Sequence, residues 1–258
     1  MKKLRHMLMA AGLSIGLIGV VLCVAYTLYP HKVRRLLGVV SSKTDIFIDR
    51  LRGVPYTKDR YDGIDVSKHN GVIKWNEVAK DKNVKFVYIK ATEGKNHTDC
   101  RYRHNIREAR KAGLNVGSYH FFTSRSSATE QFIHFSKVAK KEEQDLIPVL
   151  DIEASGIKGR WSGQQLQDSV WVFLRLAKKH YGQYPIIYSN EHFYRCELDH
   201  AFDRFYLFIA NYQGQPQLGG RGKHNVWQYT EKGHLKGIGE YVDLNRLENG
   251  MTIEKLMR

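Results

Sequence analysis

From Tyr61 onward the chain alternates between two hydropathy periods, and this alternation limits its fold more than any other feature. Five short runs are rich in β-branched and aromatic residues and read as strands: 61–67 (YDGIDVS), 85–94 (KFVYIKATEG), 115–122 (NVGSYHFF), 147–153 (IPVLDIE) and 184–190 (YPIIYSN). Helically spaced patterns lie between them. The stretch 98–113 predicts a helix with Thr98 as N-cap and Gly113 at its end. Ser127 with Glu130, and Ser162 with Gln165, each spell a capping box. Leu166, Val170, Phe173, Leu174 and Ala177 then share one helical face, and Gly182 supplies the stop. A repeated strand–helix order predicts a parallel sheet or barrel. Three more strand-like runs follow, 205–212, 224–230 and 240–246, separated by Gly-rich segments too polar for packed helices. Eight strands suffice to close a barrel. A chain of 258 residues, 42% of them hydrophobic, supplies one large core. The expected class is therefore α/β, a barrel whose final strands lack covering helices.

In parallel barrels the chemistry gathers at the C-terminal strand ends. Asp65 ends the first run, Glu93 the second, Asp151 and Glu153 the fourth, and Asp243 lies in the eighth. Glu93 sits between Lys90 and Lys95 and reads as an ion-pair partner. Asp151 and Glu153 are two residues apart, so on a strand they point to one face. Mutual repulsion and desolvation then raise the pKa of the pair. Each acid could alone cap a helix or pair with a cation, but four at one rim point to general acid–base chemistry. Tyr119, Tyr188, Tyr212, Trp227 and Tyr229 also lie near strand ends. They could pack in the core, or stack on sugar faces while carboxylates hold hydroxyls. His120 reads as a structural histidine. No CxxC or HExxH occurs and the 12 histidines lack ligand spacing, so no metal and no cofactor are expected.

These segments resemble, in order, the motifs of the glycoside hydrolase family 25 muramidases, the Chalaropsis-type lysozymes: GIDVSKHNGVIKW, FVYIKATEG, AGLNVGSYHFF, PVLDIE, IIYSN and VWQYTEKGHLKGIGEYVDLNR. The resemblance runs from Tyr61 to about Leu247. It implies an irregular TIM-like (β/α)5β3 barrel that cleaves the β-1,4 bond between N-acetylmuramic acid and N-acetylglucosamine in peptidoglycan. It further implies Glu153 as general acid, Asp151 as its partner carboxylate, and Asp65 and Asp243 as the other two acids. Tyr119, Tyr188 and Trp227 fall on matching aromatic positions. Lys68 and His69 depart from many relatives in one loop, which bears on sugar contacts and leaves the four acids intact. The strand spacing leaves open whether Asp151 attacks the sugar or assists; the family leans towards net retention with substrate assistance. Two other readings stay open: a non-catalytic wall-binding protein on the same fold, and a hydrolase of another β-1,4 amino-sugar polymer.

The N-terminus reads differently. Met7 to Tyr29 is 23 residues without a charge, long enough to span a bilayer, with Tyr26 and Tyr29 at one interface. The expected organisation is a membrane segment with basic flanks at 1–35, a connector at 36–57 and the catalytic domain at 58–258. One transmembrane helix would then precede the barrel and hold it on the extracytoplasmic side; if the segment is a cleaved signal, the domain is secreted. The formal charge is +15, six of it before residue 36. No dense basic–aromatic stripe follows, so nucleic acid is not an expected partner, and no obligate protein partner is expected. The remaining basic charge suits an anionic envelope. Cys100 and Cys196 could pair in an oxidising compartment, which spacing alone leaves open.

Overall fold

The computed structural model describes residues 56–258 apart from 160, 220 and 221, together with 44, 45 and 48. The chain divides into two units, 1–54 and 55–258, and the second holds the barrel. The expected membrane segment at 7–29 lies outside the described residues, as does most of the 36–57 connector. No helix among the described residues is long and apolar enough to cross a membrane.

The strands are β1 (Gly63–Val66), β2 (Phe86–Glu93), β3 (His97–Thr98), β4 (Asn115–Phe121), β5 (Val149–Asp151), β6 (Ile186–Asn190), β7 (Leu207–Ala210), β8 (His224–Gly233) and β9 (Val242–Leu247). Eight of them close a ring in the order β1, β2, β4, β5, β6, β7, β8, β9, with β9 returning to β1. Pairing is parallel from β1 through β8. β9 is antiparallel to both of its neighbours. β3 is a two-residue spur on β2. Helical segments follow the first five barrel strands: α1 (Trp75–Val78), α2 (Tyr102–Lys111), α3 (Ala128–Val138), α4 (Gly163–Tyr181), and a fifth made of Glu191–Phe193 continuing as a wider turn over Tyr194–Leu198. Among the described residues no helix follows β7 or β8, in keeping with their polar Gly-rich connections.

Local chemistry explains these elements. Both capping boxes form: Ser127 and Ser162 accept from the amides of Glu130 and Gln165, whose side chains return the bond. Gly182 ends α4 at φ 92°, a left-handed conformation that favours glycine. The expected cap at Thr98 is corrected. Thr98 pairs with Thr92 as part of β3, and α2 starts later because Asp99 accepts from the backbone amides of Arg101 and Tyr102.

Alternation along the strands sorts the core into two bodies. Outward residues such as Val87, Ile89, Leu150, Ile187 and Leu207 pack under the helices. Inward residues Phe86, Tyr88, Val149, Ile186, Phe208 and Val226 form an apolar plug inside the ring. Two glycines make room for it. A Cβ on Gly63 would lie 2.5 Å from the Phe86 ring, and one on Gly117 would lie 2.4 Å from the Tyr88 ring. The next inward positions above the plug are polar: Asp65, Lys90, Tyr119, Asp151, Tyr188, Gln228 and Asp243. The same period-2 pattern thus builds both a dry floor and a charged mouth.

Candidate active site

The mouth holds a cavity of about 250 Å3 whose lining includes Asp65, Asp151, Glu153, Glu231 and Asp243. Tyr88 and Phe208 lie at its base, and Tyr119, Phe121, Tyr188 and Tyr212 wall it. All four acids singled out from the sequence therefore meet, although Asp65 and Asp243 stand 178 positions apart in the chain.

Asp65 and Asp243 are cross-strand partners on β1 and β9. Asp65 Oδ2 accepts from Gln228 Nε2 and Asn245 Nδ2, each at 2.9 Å. Those two donors favour its charged form, while burial pushes the carboxyl upward. Burial and the Asp65 charge hold the Asp243 pKa well above the ordinary carboxylate range, so Asp243 keeps its proton beside Asp65. β9 runs against the other strands, which is why Asp243 serves this rim from near the start of its strand rather than from its end.

Asp151 ends β5, and its Oδ1 is buried without a hydrogen bond inside the protein. Burial first, then the Glu153 charge, raise its pKa well above the usual value. Glu153 is also raised by burial, but the hydrogen bond from Ser155 (3.2 Å) and the Lys90 charge oppose the rise. Asp151, the deeper member, is thus raised further than Glu153. The sequence predicts a rise for the pair as a whole; the two members differ because Glu153 receives the Ser155 hydroxyl and Asp151 Oδ1 receives no donor.

Lys90 is the counter-charge. Its ammonium lies 2.9 Å from Glu93 and 4.5 Å from the centre of the Phe121 ring, with the side chain only 15% exposed. It lowers the pKa of both Asp151 and Glu153. Glu93 is an ion-pair partner as expected, with Lys90; Lys95 instead meets Glu130. His120 is structural. It is fully buried between Thr92 and Gln131, stacks on Phe173, and burial lowers its pKa to about 3.

Three of the five aromatic candidates reach the cavity: Tyr119, Tyr188 and Tyr212. Burial and the nearby acids push the Tyr119 and Tyr188 hydroxyls well above their ordinary range, so both stay protonated. Trp227 and Tyr229 do not line it. They occupy the outer face of β8, where the Trp227 indole donates to Asn211 O and the Arg246 guanidinium covers both rings. The residue between them points inward instead. Gln228 Oε1 accepts from the hydroxyls of Tyr188 (2.9 Å) and Tyr212 (2.7 Å), while its amide donates to Asp65. Gln228, Asn245, Lys90 and Glu231 were not singled out from the sequence. Alternation carried the signal for one of them: Val226 belongs to the plug, so Gln228 must face the same way. Cys100 and Cys196 are both free and exposed. Asp199, His200 and Asp203 bring potential metal-ligating atoms together on the surface, away from this cavity.

Paired carboxylates with raised pKa values at a barrel mouth, walled by tyrosines, are the equipment of a glycosidase. Comparison with known proteins agrees. The family model of the glycosyl hydrolases family 25 matches residues 64–238. The barrel superposes on a family 25 glycosyl hydrolase from Bacillus anthracis with a TM-score of 0.70 and 31% identity, covering 79% of this chain and 97% of that one. Lysozyme M1 of Streptomyces globisporus is 30% identical over 206 residues, 75% of this chain and 69% of its own. The Escherichia coli K12 protein YegX, itself uncharacterised, is 35% identical over 199 residues, 75% and 71% of the two chains. The chain belongs to glycosyl hydrolase family 25 and is a glycosidase.

Proposed function

We propose that this glycosidase is a muramidase, cleaving the β-1,4 bond between N-acetylmuramic acid and N-acetylglucosamine in peptidoglycan. The lysozyme relative supports the substrate class. The observation that carries the chemistry is the Asp151–Glu153 pair, both raised by burial, with a buried, partnerless acceptor on Asp151; we take the pair to share one proton. A 2-acetamido N–H entering the cavity supplies the missing donor to Asp151 Oδ1. That bond favours the Asp151 carboxylate and moves the proton to Glu153. Glu153 then protonates the glycosidic oxygen as the bond breaks, and Asp151 steadies the acetamido group as the oxocarbenium character develops. The neighbouring acetamido oxygen closes on the anomeric carbon, and water reopens it with Glu153 as base, giving net retention. Lys90 keeps the acid cluster from taking up more protons. Asp65, held by Gln228 and Asn245, and Asp243 bind sugar hydroxyls. Residues 7–29 anchor the domain at the outer side of the membrane, beside an insoluble substrate.

The test is digestion of purified peptidoglycan by the full chain, followed by reducing-end analysis. Muramic acid ends are expected. Glucosamine ends would redirect the assignment to a glucosaminidase, and no new ends would support a binding role.

A further inference from the structure

A second cavity, about 560 Å3, adjoins the first and shares Glu153, Tyr188 and Tyr212 with it. Its own wall comes from the end of β6 and the turn after it, Asn190, Glu191, His192 and Arg195, and from Asn211 and Gln213 beyond β7. The two cavities differ in chemistry. The catalytic mouth is ringed by aromatic faces suited to sugar. Past the shared tyrosines the second has no ring except an imidazole, and it offers amides and ions, groups that bind peptide bonds and charged ends.

The ions are arranged asymmetrically. Glu191 is 14% exposed, and its Oε2 accepts from Asn211 Nδ2 at 2.5 Å. Arg195 is 56% exposed and only 3.8 Å from Glu191 Oε1, a loose pair that leaves guanidinium donors for a ligand. An entering group meets the cation first, with its counter-charge already committed behind it. Asn211 is itself fixed, accepting from Gln213 N and, through its carbonyl, from Trp227 Nε1. This gives the outer-face Trp227 a second role, bracing the wall of this cavity.

We infer that this second cavity receives a carboxylate-bearing peptide substituent of the glycan, with Arg195 as the group that reads its carboxylate. The inference rests on the muramidase reading, in which alternate sugars carry such a peptide. Because the second cavity shares Glu153, Tyr188 and Tyr212 with the first, a strand bound across Glu153 can lay the peptide of a nearby muramic acid in this space. The site makes the enzyme prefer peptide-bearing strands to bare ones.

The experiment compares kcat/KM of the full chain on glycan strands with their peptides and on the same strands stripped by an amidase. Wild type is expected to prefer the peptide-bearing strands. Arg195→Ala should cut that ratio roughly three- to tenfold, through KM, the size of a partly exposed charge contact. Arg195→Lys should keep part of it, because the charge survives and the fork does not. An unchanged ratio, or equal loss on both strands, overturns the proposal. If wild type cuts neither strand, the muramidase reading falls by itself, and the cavity is read from retention on the two immobilised strands. Weaker retention of Arg195→Ala on the peptide-bearing strand alone supports it; equal retention overturns it.

Discussion

The barrel has two arcs built on different rules. From β1 to β6 the barrel strands, the β3 spur aside, pair parallel with one another and each is followed by a helical segment, and the acids Asp65, Asp151 and Glu153 stand at or just past strand ends. Beyond β6, no helix among the described residues follows β7 or β8, the last strand reverses, and the contribution is Gln228, Asp243 and Asn245. The first arc brings the carboxylates proposed to react, together with Lys90 and Ser155, which tune Asp151 and Glu153. The closing arc brings the two amides that hold Asp65 Oδ2. The proposed acid pair is thus tuned from its own side of the cavity, and Asp65 from across it.

Substitutions can break or sharpen this division. The largest loss is expected from the first arc. Glu153→Gln should lower kcat at least 10³-fold, within the range of a removed general acid, while wall binding persists; turnover near wild type would remove Glu153 from its role. Asp151→Asn should follow at roughly 10²–10³-fold. In the closing arc, Gln228→Leu should cost about 10- to 100-fold, because Asp65 loses a donor and two tyrosine hydroxyls lose their acceptor. Asp243→Asn should cost less than about tenfold, since an amide N–H can replace the retained proton toward Asp65. If it matched Glu153→Gln, the two-arc division would fail.

Stability against pH separates the arcs again, with smaller effects. Asp243 has a raised pKa, so the fold binds its proton more tightly than the unfolded chain. Its contribution is complete below the ordinary carboxylate pKa and is lost as pH rises through the raised one. Asp243→Asn should flatten that decline in urea midpoints. His120 behaves oppositely. Lowered to about 3, it contributes stability above about 6.5 that is lost as pH falls toward 3. The slope is about 1.4 kcal/mol per pH unit. His120→Gln should be less stable at neutral pH yet show a shallower acid limb. Smallest of all, Trp227→Ala should change kcat/KM on stripped strands by less than about threefold, because its ring lies outside the catalytic cavity.

The legibility of the chain follows the same division. Parallel strands, capping boxes and strand-end acids are local signals, and the eight-strand count and the four acids could be read from them. Thr98 misled because its cap pattern is local while its pairing with Thr92 is tertiary. Trp227 and Tyr229 misled because composition draws the eye to rings, whereas facing is decided by register. Lys90 was legible as a partner for Glu93, but its reach over Phe121 toward the acids depends on two neighbouring strands. The relative basicity of the acids was least legible, since it depends on burial and on donors such as Gln228 and Asn245 that come from distant strands.

The closure of β9 on β1 also sets when the enzyme can work. The bonds that hold Asp65 join it to residues 163 and 180 positions later in the chain. During synthesis, the carboxylates of the first arc emerge long before the strands that arrange them. A chain truncated before β9 is expected to carry the acids without the bonds that hold Asp65. In the proposed muramidase, activity that waits for the last strand would be a safeguard written into the topology.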